Sequence, residues 1–302
     1  MTENKSPAWK GKTRGGRGGY LFFIGLVRFT GVRVAYVFLA LVVIYFIPFA
    51  PKATAAIWKY GRRILKYNRW NTFRLLFRNY YVLGQTLIDK IAIGNGRIAR
   101  YRFEFEGREP LLRLLETTGG VVMIGGHVGN WEVGAPFFED YGKKMNIVMY
   151  DAEYRKIKEL LERNGIGKNY KVIPVNRDNL THVFEIGAAL GRGEYVCFQG
   201  DRFVSDDHTL SVEFMGEKAR FPLGPFQIAA RMGKAVVFYF AMRKKGNGYR
   251  FHFYIAAQGD HLKPREREKY ILGQYVRTLE VLLKRYPEQW FNYYDFWQAT
   301  AD

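Results

Sequence analysis

The chain has 302 residues, of which 48% are hydrophobic and 17% aromatic, so it can bury a large core and is not an intrinsically disordered protein. It carries 47 Lys and Arg against 28 Asp and Glu, a net charge of +19 that suits an anionic partner such as a membrane surface, a nucleic acid or an acidic protein. Its one cysteine, Cys197, excludes an internal disulfide and a cysteine-based zinc site. Cys197 lies in an apolar run, which indicates a buried strand residue rather than a nucleophile.

The N-terminal segment has the composition of a membrane anchor. Residues 1–19 are basic and rich in glycine, and predict a flexible tail near anionic headgroups. Residues 20–50 are strongly apolar and predict a membrane-anchoring helix, whose uncharged part, 34–50, is close to the shortest length that spans a bilayer. A secretory signal peptide is the competing interpretation, but the run Pro-Phe-Ala-Pro at 48–51 is more typical of a helix end than of a cleavage site.

Residues 51–97 predict a basic amphipathic helical region. Arginine and lysine alternate there with tryptophan, phenylalanine and tyrosine. Such a helix suits a membrane interface, but an ordinary helix with a solvated basic face has the same composition, and both interpretations stay open.

From residue 98 to the end, the pattern is that of an α/β domain. Apolar runs that predict strands lie near 101–105, 121–124, 146–150, 171–175, 194–199, 234–242 and 249–256. Helices are expected near 111–115, 131–139, 153–164, 178–190, 224–232 and 264–285, and a fixed loop at 214–225. Strands that alternate with helices predict a mostly parallel sheet covered by helices.

His127 and Glu132 stand directly after the strand expected at 121–124. A histidine takes a proton near neutral pH, and a carboxylate can orient the ring and stabilise the imidazolium. Asn130 is a candidate helix N-cap that would bring Glu132 into the first helical turn, and Gly126 lets the backbone approach a ligand closely. The simpler alternative is a surface turn in which His127 and Glu132 never meet.

Two further strands end in arginine. Arg177 follows the strand expected at 171–175, and Gly200, Asp201 and Arg202 follow the one at 194–199. An arginine at a strand end can bind a phosphate or carboxylate bidentately, although a single arginine is more often a solvated charge or a salt-bridge partner.

The run Gly-Gly-His-Val-Gly-Asn-Trp-Glu at 125–132 resembles the first signature of the lysophospholipid acyltransferase superfamily, in the form found in the bacterial lipid A biosynthesis (lauroyl/myristoyl) acyltransferase branch. Segments similar to other motifs of that branch follow in the expected order at 172–177, 198–202, 214–219, 234–237 and 287–291. The resemblance covers about residues 20–298. It departs from the branch at Gly200-Asp201-Arg202, where those enzymes usually carry Asp-Gln or Asp-His, and this leaves the acceptor open.

The resemblance implies transfer of a fatty acyl chain from acyl carrier protein or coenzyme A to a hydroxyl or amine of a lipid. It implies that His127 is the general base and that Glu132 assists it. The residues expected to bind substrates are Gly126, Asn130, Arg177, Gly200, Asp201 and Arg202. No metal, no tightly bound cofactor and no nucleic acid partner is expected. The expected location is the cytoplasmic face of the bacterial inner membrane, to which a single N-terminal helix anchors the protein. The anionic surface of that membrane is an expected partner.

Two alternatives remain from the sequence. The first is a membrane-bound hydrolase that uses His127 and Glu132 to activate water. The second is a basic membrane-binding protein without catalysis, which the net charge alone would support.

Overall fold

The structure, a computed structural model, describes residues 17–134, 143–150, 170–175, 180–203 and 208–297. It divides the chain into two compact units. The helical unit comprises Met1–Ile98, Phe203–Phe221 and Glu280–Asp302. The sheet unit comprises Ala99–Arg202 and Pro222–Leu279. The four segment boundaries expected from the sequence remain predictions.

The apolar N-terminal segment forms two helices, α1 (Arg17–Thr30) and α2 (Val32–Phe49), instead of the single helix expected over 20–50. Gly31 separates them with a φ of 88°, a left-handed conformation that an α-helix does not accommodate. The helix end expected at 48–51 is confirmed, because α2 stops at Phe49 and Pro51 starts the next helix. Within the described residues, α2 is long and apolar enough to cross a membrane.

The helical region expected over 51–97 is confirmed, with one interruption. It contains α3 (Pro51–Lys59), a π-helical turn (Tyr60–Ile64), α4 (Arg69–Ala92) and a second π-helical turn (Ile93–Arg97). The chain bends before α4, where Asn68 accepts a hydrogen bond from the backbone N–H of Asn71 at 2.8 Å and caps the helix.

A two-stranded hairpin replaces part of the loop expected at 214–225, so that prediction was wrong. Its strands are β6 (Thr209–Phe214) and β7 (Glu217–Pro222), joined by Met215 and Gly216 at φ 56° and 83°. Positive φ at both central residues is typical of a tight hairpin turn, which sequences usually mark with Asn-Gly. Met215 hides that signal.

The sheet unit is built on a seven-stranded sheet in the order β1-β9-β8-β2-β5-β3-β4. Its strands are β1 (Arg102–Glu106), β2 (Val121–Gly125), β3 (Met145–Tyr150), β4 (Tyr170–Val175), β5 (Tyr195–Gln199), β8 (Ala235–Lys244) and β9 (Gly248–Ile255). Only β8 and β9 pair antiparallel among these neighbours. The helices of the α/β pattern are α5 (Arg108–Thr117), α6 (Thr181–Gly191), α7 (Gly224–Arg231) and α8 (Pro264–Arg285). The mostly parallel α/β fold expected from the sequence is therefore confirmed.

The centre of the sheet positions the residues singled out by the sequence. β2 is buried along its whole length and pairs in parallel with β5, with Gly125 opposite Gln199. The segments that follow these two strands leave the sheet side by side, at the edge where open parallel sheets bind ligands. Of the helix expected at 131–139, the described residues form a 3-10 turn (Trp131–Gly134), and residues 135–142 lie outside the described part. The helix expected at 153–164 also lies outside it.

Candidate active site

Asp201 holds His127 by two hydrogen bonds. One carboxylate oxygen lies 2.8 Å from the ring Nδ1, and the other accepts the backbone N–H of His127 at 2.8 Å. His127 follows β2 and Asp201 follows β5, so the pairing of these neighbouring strands brings the two residues together. The side chain of Asp201 is 1% exposed, whereas that of His127 is 21% exposed, so the ring remains accessible while its anchor is buried.

The electrostatics of the pair keep Asp201 ionised. Burial tends to raise the pKa of Asp201, but the charge and hydrogen bond of His127 and the charge of Arg202 outweigh it and hold that pKa below its ordinary value. An ionised carboxylate only accepts hydrogen bonds, so in neutral His127 the proton belongs on Nδ1. The lone pair of Nε2 is then free to take a proton from a substrate.

The loop after His127 is fixed to β8. Gly129 bridges to Ala241, and a side chain there would meet the carbonyl oxygen of Ala241 at 2.2 Å. Its φ of 67° also favours glycine. The next N–H, that of Asn130, donates to the same carbonyl at 2.7 Å. The backbone beside His127 is thus held by the sheet.

Asn130 is used within the fold. It is 8% exposed, and its side-chain amide donates to the hydroxyl of Tyr249 at 3.3 Å. The described residues after it form a 3-10 turn, Trp131–Gly134, and the expectation that Asn130 caps a helix stays a prediction. Its expected contact with substrate stays a prediction.

Tyr275 of α8 contacts the backbone on which the site is built. Its hydroxyl donates to the carbonyl oxygen of Gly125 at 2.8 Å. Gly126 and Gly200 both lie against it, since a Cβ on Gly126 would approach the Tyr275 oxygen to 2.7 Å and one on Gly200 would approach its ring to 2.9 Å. Burial, followed by the charge of Asp201, raises the pKa of Tyr275 well above its ordinary value, so the hydroxyl stays a donor.

Glu132 lies in the turn Trp131–Gly134, next to two tyrosines. After burial, its charge raises the pKa of Tyr170. It also contributes to the raised pKa of Tyr239, after burial and Cys197. Asp201 contacts the His127 ring through a carboxylate oxygen. The expected action of Glu132 on the ring therefore stays a prediction.

The structure gathers His127, Gly126, Gly200 and Asp201 at one sheet edge, with Arg202 close enough for its charge to lower the pKa of Asp201. Arg177 falls within 176–179, outside the described residues. The contacts with substrate that were expected for Gly126, Arg177, Gly200, Asp201 and Arg202 stay predictions.

Sequence reasoning missed two features of the site. Asp201 was expected to bind substrate, not the histidine, because the contact joins residues 74 positions apart and depends on the strand order. Tyr275 gave no motif, and the only available signal was its place on the apolar face of the helix expected at 264–285.

Residues 74–298 match the profile of the family described as bacterial lipid A biosynthesis acyltransferase. A comparison with curated proteins found no match. The family profile covers well over half of the chain, and the His127 motif and the Asp201 carboxylate both lie inside the matched residues. The chain therefore belongs to the bacterial lipid A biosynthesis acyltransferase family, whose members transfer acyl groups.

Proposed function

We propose that this protein is a membrane-bound acyltransferase that moves a fatty acyl chain from an acyl thioester to a hydroxyl or amine of a lipid or lipid-like acceptor. The donor is acyl carrier protein or coenzyme A carrying the chain. The observation that carries the proposal is the His127–Asp201 pair, with a partly exposed ring on a buried carboxylate at the ligand-binding edge of the sheet.

The reaction needs a base that acts in the moment of attack. Nε2 of His127 takes the proton of the acceptor hydroxyl or amine as its oxygen or nitrogen bonds to the thioester carbonyl carbon. When the tetrahedral intermediate collapses, the carbon–sulfur bond breaks and the sulfur leaves with the proton held by the imidazolium. The acceptor is itself the nucleophile, so no acyl-enzyme forms.

The two carboxylates have separate tasks in this scheme. Asp201 fixes the tautomer and direction of the ring and stabilises the imidazolium, as the carboxylate does in Ser-His-Asp enzymes. Glu132 belongs to the signature motif and assists the same reaction. It lies close enough to Tyr239 for its charge to contribute to the raised pKa of that tyrosine, after burial and Cys197. This division assigns to Asp201 the orienting role that the sequence suggested for Glu132.

Charge supports the choice of substrates. Arg202 and Arg177 are proposed to bind a phosphate or another anion of donor or acceptor, as arginine does bidentately. The net charge of +19 favours both an anionic membrane and an acidic carrier protein. We place the protein on the cytoplasmic side of the bacterial inner membrane, where acyl thioesters are available.

Lipid mass spectrometry tests this function. Cells that lack the protein are complemented with wild type or with His127→Ala. The proposal predicts a lipid that gains one acyl chain with wild type only, and this lipid identifies the acceptor and the chain length. Equal lipid profiles with both proteins would contradict it, and would favour the non-catalytic alternative.

A further inference from the structure

We infer that α1 and α2 lie within one leaflet of an anionic phospholipid bilayer, and that α2 does not cross it although it is long enough. This inference rests on the membrane-bound activity proposed above and specifies how the helical unit is seated.

The outward face of α2 is apolar and exposed over the full length of the helix. Large apolar side chains with 38–68% exposure line it: Val34, Val37, Phe38, Leu41, Ile44, Tyr45 and Phe49. On α1, Leu21, Phe22 and Phe29 are more than half exposed. A contiguous surface of this kind indicates a lipid or protein partner, because it is unfavourable in water.

The opposite face of α2 is docked on α4. Leu39 packs so closely on Gly84 that a Cβ on the glycine would meet it at 2.3 Å. Tyr36 hydrogen-bonds to the carboxylate of Asp89, which is fully buried. A carboxylate without its donors is costly in hydrocarbon, so α2 and α4 stay together in the membrane.

The contacts continue beyond the other end of α2. Thr54 donates to the carbonyl oxygen of Ile47 at 2.9 Å and lies 3.1 Å from the hydroxyl of Tyr80. Residues late in and just after α2 therefore meet the middle of α4, whereas residues early in α2 meet its end. The two helices are antiparallel, and contacts join them from Tyr36 to the level of Ile47 on α2. A bilayer crossed by α2 would therefore also be crossed by α4.

The stretch 78–97 contains the part of α4 that contacts α2, and its two ends are fixed to different parts of the chain. Near Tyr80, the side chain of Asn79 donates to the carbonyl oxygens of Glu288 and Trp290 at 3.1 and 2.8 Å, and Arg78 pairs with Glu288 at 2.7 Å. At the far end, Arg97 donates to the last carbonyl groups of α1, and the chain leaves the unit after Ile98. Arg78 and Arg97 lie roughly 30 Å apart along this helical stretch at about 1.5 Å per residue, which is comparable to the thickness of a bilayer core.

If α2 and α4 crossed the bilayer, the chain from 99 to 287 would have to cross it again to reach Glu288. No described helix in that stretch is long and apolar enough. The longest described helix there, α8, carries nine charged residues. Residues 151–169, the longest stretch outside the described part, also contain nine charged residues in sequence. The crossing arrangement is therefore incompatible with the chain.

The flanking charges fit headgroups at a single surface. Arg28 and Arg33 are exposed at the junction of α1 and α2, and Lys52 is exposed just beyond the other end of α2. Exposed Arg74 stands beside exposed Trp70 and Phe73 on α4. Long basic side chains extend from a helix lying in the membrane to reach phosphates, and anionic lipid attracts them.

Cysteine accessibility in native membranes tests this position of α1 and α2 in the bilayer. Thr30→Cys and Lys52→Cys bracket α2 at exposed positions and are each made in a Cys197→Ala background. A membrane-impermeant maleimide is applied to right-side-out spheroplasts and to inverted membrane vesicles. The inference predicts that both cysteines react in the same one of these two preparations. Reaction of one cysteine in each preparation would establish a crossing helix and overturn the inference.

Leu41→Cys in the same background is the matched probe of the exposed face, where Leu41 is 63% exposed. We expect it to react only after detergent is added. Reaction without detergent would mean that water or a protein covers this face, and would also overturn the inference. The Cys197→Ala parent supplies the labelling background. Acyl transfer is assayed separately in the same membranes. Failure of the proposed function is thereby distinguished from failure of the proposed position of α1 and α2 in the bilayer.

Discussion

Asp201 binds both the ring and the backbone of His127, each through one carboxylate oxygen at 2.8 Å. A carboxylate used in this way sets the tautomer of the ring and also holds the loop that carries it. Both functions depend on ionisation, which the depressed pKa of Asp201 ensures.

Replacing each carboxylate by its amide separates their roles. We expect Asp201→Asn to lower kcat by roughly 10²–10⁴-fold with little change in KM, because the amide no longer fixes the proton on Nδ1. Glu132→Gln should leave the tautomer of His127 unchanged even if it lowers the rate. Nitrogen-15 NMR of labelled histidine reports the tautomer. A tautomer change in Glu132→Gln but not in Asp201→Asn would reverse our assignment.

The same pair makes stability depend on pH. The folded-state pKa of Asp201 is lowered, so its contribution to stability is fully present above the unfolded value of about 3.9 and is lost as pH falls through the folded value. We therefore expect wild type to be more stable than Asp201→Asn at neutral pH, with a difference that shrinks below about pH 4. Urea unfolding of both proteins in detergent over this range measures the effect. A difference that grows in acid would contradict the sign.

The close approach of Gly126 to Tyr275 predicts that Gly126→Ala is harmful. The new methyl group would lie 2.7 Å from the Tyr275 oxygen and 3.2 Å from the Asp201 carboxyl carbon. We expect a loss of about 1–3 kcal/mol in the free energy of unfolding and a fall in activity of up to about 10²-fold.

Two further variants control this prediction. Gly187→Ala in α6 has its nearest contact at 4.0 Å and should be neutral or mildly stabilising. Adding Tyr275→Phe to Gly126→Ala removes the oxygen in the closest contact and should restore part of the stability. If the double variant is worse than the sum of the two single variants, the steric explanation fails.

The hydrogen bond between Tyr36 and Asp89 predicts the stability of the helical unit. Tyr36→Phe removes one donor from a fully buried carboxylate and should cost about 1–3 kcal/mol. Tyr45→Phe on the same helix is the matched control, since Tyr45 is 60% exposed and its loss of a hydroxyl should cost less than about 0.5 kcal/mol. Unfolding of the two variants in detergent is compared. Equal losses would show that the buried hydrogen bond is not what holds α2 to α4.

Most strands and the last helix were predictable because local pattern determines them. The sequence alone shows the apolar run that forms β2. It also shows the start of α8, where Pro264 is followed by charged residues. The Met215-Gly216 turn was missed because a methionine rarely adopts positive φ, and the break at Gly31 because an isolated glycine inside an apolar run is also tolerated in helices.

The candidate site was predictable in its histidine and its family signature, but not in its geometry. His127 follows an apolar run that clearly predicts a strand, so its position at a strand end follows from the sequence alone. The partner Asp201 is brought to it by the order β8-β2-β5, which no periodicity encodes. Proximity along the chain instead favoured Glu132.

The most direct test of the central claim follows the acyl chain. Purified wild type and His127→Ala are incubated with a carbon-13-labelled acyl thioester and a membrane lipid extract, and the products are identified by mass spectrometry. We predict that wild type places the label on a lipid and that His127→Ala places at least about 10²-fold less there. Label released by wild type as free fatty acid, or equal lipid labelling by both proteins, would contradict it.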